Sequence, residues 1–418
     1  MFWTGSESIL SHKVYPKDKY IYYCEEEGPL ALLNTQYDLK SLGASIPNSL
    51  KSPTYGMFRY MPFLPISPDA ELPTHFVGGT PLIPVKDSKN PFNFKLWIKD
   101  EGRNPTASLK DRASSLVCVK CKEIGQTTIT TASSGNAAAA TSCAAANIGL
   151  NCVIFVPSHA PAAKILQNRL FGSKVYTVDG PYDNAVAACT GAAKKFGWYI
   201  RSTGFNQFTV DGKKTVVFEI CEQFYGIQNN VEQFSGHFSA PDVIVIPVGD
   251  GNIIAGVHKG LKELYGAGLI SHIPRLIGCQ AIGSNSIYIH FIDKEMPETK
   301  VLTVEANTIA DSIAMDTPND PIRALRAARE TNGSYVQSSD EEILEAQIEM
   351  ARCSGVFGEP AAATAWAGLK HAQEQGLIKP GESVVMISTG NGLKDIVNAT
   401  KGMEGKNPVT NIKSFEDI

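Results

Sequence analysis

The chain reads as a two-lobed α/β protein built on doubly wound, mostly parallel sheets. Three observations predict this. Its 418 residues are too many for one small core, so two lobes plus extensions are expected. From Gly78 onward, short β-branched runs alternate with longer Ala-rich segments, the order of strands joined by crossover helices. The short runs are apolar almost throughout, as parallel strands covered on both faces require.

Up to about Pro73 the chain is rich in Tyr, Pro and Leu and lacks sustained helical periodicity, which predicts an extended arm or accessory segment. Strands are then predicted at 127–131, 152–156, 174–178, 242–248, 276–280 and 383–388. The best-marked helix spans about 340–353. Ser339 and Glu342 form an S-x-x-E capping box, Leu344, Ile348 and Ala351 share a face, and Gly355 is its stop. Beyond Lys401 the Gly, Asn, Pro and charged residues predict a frayed tail.

Composition excludes several function classes. Apolar and charged fractions of 43% and 19% are those of an ordinary soluble protein. A net charge of -4 leaves no basic surface for nucleic acid. No apolar run reaches the about 20 residues of a membrane span, and the start, Met1 to Glu7, lacks a basic region followed by an apolar block. The nine cysteines are odd in number and sit in apolar segments, which predicts buried thiols and a cytoplasmic location. Cys118 and Cys121 have redox-like spacing, but they follow a lysine turn inside a predicted helix and read as core residues. None of the eight histidines has metal-like or triad-like spacing.

Four turns carry candidate chemistry, each following or facing a predicted strand end, where open parallel sheets collect ligands. The first is Asn104-Pro105-Thr106-Ala107-Ser108-Leu109-Lys110-Asp111-Arg112. A lysine here is either a solvated charge or, if desolvated, an amine able to form a Schiff base. In the second, Thr131 to Ala138, Ser133, Ser134, Gly135 and Asn136 either cap the Ala-rich helix or present N–H and side-chain donors to a carboxylate. The third contains Gly249, Asp250, Gly251 and Asn252 after an apolar strand. Its amides can curl around a phosphate, and it lacks the G-x-G-x-x-G spacing of a dinucleotide site. The fourth, Ser388-Thr389-Gly390-Asn391-Gly392, offers a hydroxyl to a ring nitrogen or is a β-turn chosen for Asn391-Gly392. Each turn alone is more often structural; the four together, in this order, are not readily structural.

Together with Gly78-Gly79-Thr80-Pro81-Leu82-Ile83, Asp211-Gly212-Lys213-Lys214-Thr215 and Gly358-Glu359-Pro360-Ala361-Ala362, these turns resemble the threonine synthase-like branch of the fold-type II pyridoxal-phosphate enzymes, from about Tyr22 to Lys401. The resemblance implies pyridoxal 5'-phosphate as cofactor, with Lys110 as its Schiff-base lysine and proton-shuttling base. It implies Asn136 at the ring hydroxyl, Gly249, Asp250, Gly251 and Asn252 at the phosphate, and Thr389, or else Ser388, at the pyridine nitrogen. Ser133, Ser134 and Gly135 would hold the substrate carboxylate, and Glu359 would lie near the cofactor in a role it does not fix. It divides the chain into an N-terminal segment 1–75, a large lobe from 76–120 and 206–400, a small lobe 121–205 and a tail 401–418. A homodimer acting on a small amino acid is implied, with no nucleic-acid or membrane partner.

The implied chemistry is elimination or replacement, foremost conversion of O-phosphohomoserine and water to threonine and phosphate. A serine or threonine ammonia-lyase and a cysteate-synthase-type replacement enzyme stay open, as does a non-catalytic binding protein on this fold. Several departures bear on substrate. Only Cys24 remains of a zinc-ribbon ligand set that needs four, so no structural zinc is expected. Leu109 replaces an aromatic residue, Ser202 to Phe208 departs from Asn-Ser-x-Asn-Pro, and the phosphate loop is short. Lys213, Lys214 and Arg112 are candidates for a second phosphate, although lysines in a G-K-K-T turn are more often solvated.

Overall fold

Three sheets organise the chain in a computed structural model that describes residues 2–19, 21–50, 53–160 and 162–407. The N-terminal part holds β1 (Trp3–Ser8), β2 (Val14–Tyr15), β3 (Leu33–Tyr37) and α1 (Leu39–Ser49), followed by β4 (Leu82–Pro84), β5 (Lys95–Asp100) and α2 (Lys110–Glu123). Next come β6 (Thr128–Ala132), α3 (Asn136–Ile148), β7 (Asn151–Pro157), α4 (Ala162–Leu170), β8 (Lys174–Val178), α5 (Tyr182–Phe196) and β9 (Tyr199–Ile200). The long α6 (Phe208–Asn229) leads to β10 (Val243–Pro247), α7 (Asn252–Gly266), β11 (Arg275–Ala281), α8 (Ser286–Ile292) and α9 (Pro321–Glu330). The chain closes with β12 (Ser334–Ser338), α10 (Asp340–Ser354), α11 (Pro360–Glu374), β13 (Ser383–Ser388) and α12 (Ile396–Met403).

One sheet has the order β12-β11-β10-β13-β5-β4 and is parallel except at β4; a second, β8-β7-β6-β9, is parallel throughout. All six predicted strands are present. The apolar runs have the expected cause. In β10, Ile244 and Ile246 pack with Val257 of α7 and Val216 of α6, while Val243 and Val245 pack with Trp366 and Ala363 of α11 on the opposite face. The capping box also forms: the Ser339 hydroxyl accepts from the Glu342 amide, the Ser339 amide donates to the Glu342 carboxylate, and Gly355 ends α10 in the left-handed region.

Of the two readings of the N-terminal stretch, extended arm or accessory segment, only the first is corrected. The stretch before Pro73 is not an extended arm: β2-β1-β3 is an antiparallel sheet docked on the rest of the chain. Thr35 donates to Asp211 of α6 at 2.8 Å, and Arg323 of α9 donates to the Leu33 carbonyl and the Asn34 side chain. Cys24 is buried and accepts from the Tyr15 hydroxyl at 3.0 Å. At the other end α12 runs past Lys401 to Met403, and the tail from residue 408 lies outside the described residues.

The G-K-K-T segment is also not a solvated turn. It lies inside α6, where Gly212 lets α6 press on α2: a β-carbon there would come within 2.5 Å of the Arg112 carbonyl oxygen. Lys213 and Lys214 are both buried.

Candidate active site

Strand ends from both parallel sheets converge on α2. The turn before α2 is fixed to the turn after β13: the Leu109 amide donates to the Thr389 carbonyl at 2.8 Å and the Asn391 amide to the Ala107 carbonyl at 3.0 Å. A third segment joins them, with the Glu359 amide bonded to the Gly390 carbonyl at 2.9 Å and the Gly392 amide to the Phe357 carbonyl at 2.8 Å. Lys110 is thereby placed as the first residue of α2. Among the described residues its amine has no hydrogen-bond or ion-pair partner. Ala107 adopts φ 60°, a strained conformation for a residue with a β-carbon.

The loop 249–252 closes on the same point. Gly251 has φ 86°, and a β-carbon there would lie 2.5 Å from the Asp320 carbonyl oxygen, so only glycine fits. Among the described residues, the amides of Gly249, Asp250, Gly251, Ile253 and Ile254 have no protein acceptor. They form a cluster of free donors at the positive end of α7. Lys110, Gly249, Asp250, Gly251 and Ser312 line one small void. Asn252 braces the loop from behind: its Oδ1 accepts from Lys213 Nζ at 2.6 Å and its Nδ2 donates to Asp320 at 2.8 Å. Asn252 therefore supports the loop with its side chain already engaged.

Next to this void opens a cleft of about 780 Å³, bordered by Thr106, Ser134, Gly135, Asn136, Glu359 and Lys394. Helix α3 begins there without a side-chain cap, because Ser133 Oγ accepts from the Gly135 amide at 3.2 Å instead. The capping reading of that turn thus fails; Ser134, Gly135 and Asn136 line the cleft, while the Ser133 hydroxyl is turned to the Gly135 amide. Asn136 Nδ2 donates to Ser312 Oγ at 3.1 Å and to both Glu359 oxygens at 3.1 and 3.2 Å. Glu359 is 4% exposed, and burial holds its carboxyl above the ordinary range despite the Asn136 bond. Among the described residues Ser388 Oγ is buried without a partner, and it lies 3.1 Å from where a β-carbon of Gly358 would stand. Thr389, the next residue, lies beyond the end of β13.

Two of the three candidate cations do not face the cleft. Arg112 is buried between Glu101 and Glu219, and Lys214 between Asp211 and Glu263. Lys213 stays at the site through Asn252, and burial with Lys110 nearby pushes its pKa far below that of an ordinary lysine. Burial opposes ionisation of Asp250, yet Lys213 and Lys110 outweigh it and hold its pKa below the ordinary carboxylate range. Ser312 and Arg201 were not singled out from sequence. Neither sits in a motif; the nearest signal for Arg201 was the divergent segment it precedes, Ser202 to Phe208.

Comparison with known proteins agrees with this geometry. The family model described as "Pyridoxal-phosphate dependent enzyme" matches residues 73–390. The threonine synthase of Methanocaldococcus jannaschii is 33% identical over 395 residues, 94% of this chain and 93% of its own. That of Halalkalibacterium halodurans is 36% identical over 340 residues, 80% of this chain and 88% of its own. Among solved structures, the processed form of threonine deaminase isoform 2 from Solanum lycopersicum shares the fold at a TM-score of 0.65 and 21% identity, covering 86% of this chain and 97% of its own. The L-serine ammonia-lyase of Rhizomucor miehei does so at 0.63 and 21%, covering 78% and 97%. The family match over most of the chain and the relatives at 33–36% identity show that the chain belongs to the pyridoxal-phosphate dependent enzymes.

Proposed function

We propose that this enzyme is a threonine synthase, converting O-phosphohomoserine and water to threonine and inorganic phosphate. The observation that carries the reading is the void shared by the unengaged Lys110 amine and the free amides of Gly249, Asp250 and Gly251. The choice of substrate is supported by threonine synthases 33–36% identical over most of the chain.

The residues present fit pyridoxal phosphate. Lys110 would hold its aldehyde carbon, and the amides of residues 249–254 its phosphate, with Asn252 and Lys213 behind. Asn136 would meet the ring oxygen and Thr389 the ring nitrogen; Ser388, whose hydroxyl lies close to Gly358, is the lesser candidate. When bound, the cofactor supplies an electron sink for the bonds at the substrate α-carbon. Ser133, Ser134 and Gly135 bind the substrate carboxylate at the start of α3. The Lys110 amine would take the proton from the substrate α-carbon and return it. Thr389 brings a hydroxyl rather than a carboxylate to the ring nitrogen and so does not favour its protonation. That weaker sink suits expulsion of a leaving group over transamination.

All nine cysteines are unpaired and no described helix is long and apolar enough to cross a membrane. These support a cytoplasmic enzyme; a homodimer follows from the resemblance, and light scattering of the purified protein tests it. The deciding experiment has two parts. Borohydride reduction followed by peptide mapping is expected to find the cofactor on Lys110, and Lys110→Ala to lose both the absorbance band and turnover. A screen of O-phosphohomoserine, O-phosphoserine, serine and threonine is expected to yield threonine and phosphate from the first. Ammonia and keto acid from serine or threonine, without phosphate release, would overturn the assignment.

A further inference from the structure

Buried cations in this protein are neutralised by buried or partly buried carboxylates, with two exceptions among the described residues. Arg59 pairs with Glu222, Arg112 with Glu101 and Glu219, and Arg323 with Asp320. Lys99 pairs with Glu219, Lys120 with Glu123, and Lys214 with Asp211 and Glu263. The exceptions are Lys213, which is bonded to the Asn252 amide oxygen, and Arg201, which reaches no carboxylate at ion-pairing distance. Burying an unneutralised charge costs several kcal/mol. Lys213 answers that cost with its lowered pKa, whereas a guanidinium keeps its proton, so Arg201 points to an anion that arrives from outside the chain.

Lys213 belongs to the phosphate loop through Asn252, whereas Arg201 comes from the other sheet. Its amide bonds to the Thr130 carbonyl at 2.9 Å, which sets it just past the end of β9 and level with the end of β6. The side chain is 1% exposed. Nε donates to Ser114 Oγ at 3.2 Å and Nη1 to Thr203 Oγ1 at 2.7 Å, while Nη2 has no partner. Ser114 follows Lys110 by four residues, so it lies on the same face of α2, one turn along. The guanidinium is therefore steered by two hydroxyls to a position one helical turn from Lys110, with one nitrogen left over. Burial draws its pKa down to about 10, against the attraction of Asp250, and still leaves it cationic at neutral pH.

We infer that Arg201 receives a second anionic group carried by the substrate, so that the enzyme selects amino acids with a phosphorylated side chain. The inference rests on the reading under Proposed function. The loop amides and Lys213 already serve the cofactor phosphate, and the turn 133–135 offers donors for the carboxylate common to all amino acids. Neither therefore needs a guanidinium reaching in from β9.

The test compares cofactor-loaded wild type, Arg201→Lys, Arg201→Met and Arg201→Gln. It measures KM and kcat for O-phosphohomoserine, inhibition by inorganic phosphate and by O-phosphoserine, and affinity for L-alanine read from the cofactor absorbance. Removing a charged hydrogen-bond donor in Arg201→Gln is expected to raise KM and both inhibition constants roughly 10- to 150-fold. The change in kcat should be smaller and alanine affinity should be that of wild type, with Arg201→Lys recovering part of the loss. Equal weakening of alanine and phosphate ligands would assign the guanidinium to the carboxylate and overturn the inference; so would unchanged phosphate inhibition. If Arg201→Gln does not hold cofactor, Arg201→Met, which keeps the buried volume, is judged by the same criteria. The phosphate and O-phosphoserine arms do not depend on the product. Arg201-dependent binding without threonine formation sinks the functional reading alone, and threonine formation with an Arg201-independent KM sinks this inference alone.

Discussion

The Leu109 amide donates to the Thr389 carbonyl at 2.8 Å, so the residue before Lys110 is held by the backbone of the residue proposed to face the ring nitrogen. Thr389 thus has separable tasks under this proposal: its main chain fixes the lysine turn, and its side chain, which bonds no described residue, would serve the cofactor. Thr389→Val, which keeps shape and backbone, should leave the thermal unfolding of the cofactor-free protein unchanged. Loss of one neutral hydrogen bond should weaken cofactor retention about 3- to 10-fold, as titration of the absorbance band would show. Unchanged retention would remove Thr389 from the ring nitrogen, and Ser388→Ala would then be the next variant to measure.

Ala107 pays a conformational cost at φ 60° so that its carbonyl can accept from Asn391. Glycine adopts that region freely. Ala107→Gly should therefore stabilise the protein by roughly 0.5–1 kcal/mol, although Ala→Gly ordinarily destabilises. Denaturant unfolding of the two proteins measures this directly, and a loss of stability would show that the strain is not felt.

The strands that organise the site were legible because burial on both faces writes a continuous apolar run, as in Val243–Pro247. Strand β5 was not read from sequence, although it lies inside the same sheet. Lys95, Lys99 and Asp100 interrupt its pattern, and the buried Lys99 amine is satisfied by the Thr80 carbonyl at 2.6 Å and by Glu219 and Gln223 of α6 at 2.8 and 2.7 Å. Pairings across more than a hundred residues leave no local trace. Lys214 read as solvated because Glu263, which completes its neutralisation, comes from a different helix, α7. In the N-terminal sheet, strands such as Trp3–Ser8 are short and polar and depend on docking against α6 and α9 rather than on their own pattern. The four turns were legible as places, since strand ends and glycines announce them. That Glu359 and Ser312 both meet Asn136, 223 and 176 residues distant, was not.

Glu359 accepts from Asn136 with both oxygens while burial holds its carboxyl above the ordinary range. As pH falls it is protonated sooner than an exposed glutamate, and the Asn136 amide then loses an ionised acceptor. The wild-type kcat/KM profile should accordingly show an acid limb above the usual carboxylate range. Glu359→Gln keeps an acceptor but cannot titrate, so this limb should disappear. A pH profile with the same limb in both enzymes would assign it to another group.

Asp111 ties the same lysine turn to α2 and makes it pH-sensitive. The Thr106 amide donates to its carboxylate at 2.9 Å and the Thr106 hydroxyl at 2.8 and 2.9 Å. Burial nevertheless dominates and raises its pKa from 3.8 to about 6, opposed by those bonds. A folded-state pKa above the unfolded one means that the protonated form is favoured by folding. The stabilising contribution is therefore full below about 4 and is lost as pH rises through about 6. Between pH 5 and 7.5 this group alone should lower wild-type stability by on the order of 1 kcal/mol. Asp111→Asn cannot titrate and retains an acceptor for Thr106, so the stability difference between wild type and variant should shift by that amount in the variant's favour. Denaturant unfolding of both proteins at the two pH values measures it, and a difference independent of pH would show that Asp111 ionises as readily in the folded chain as in the unfolded one.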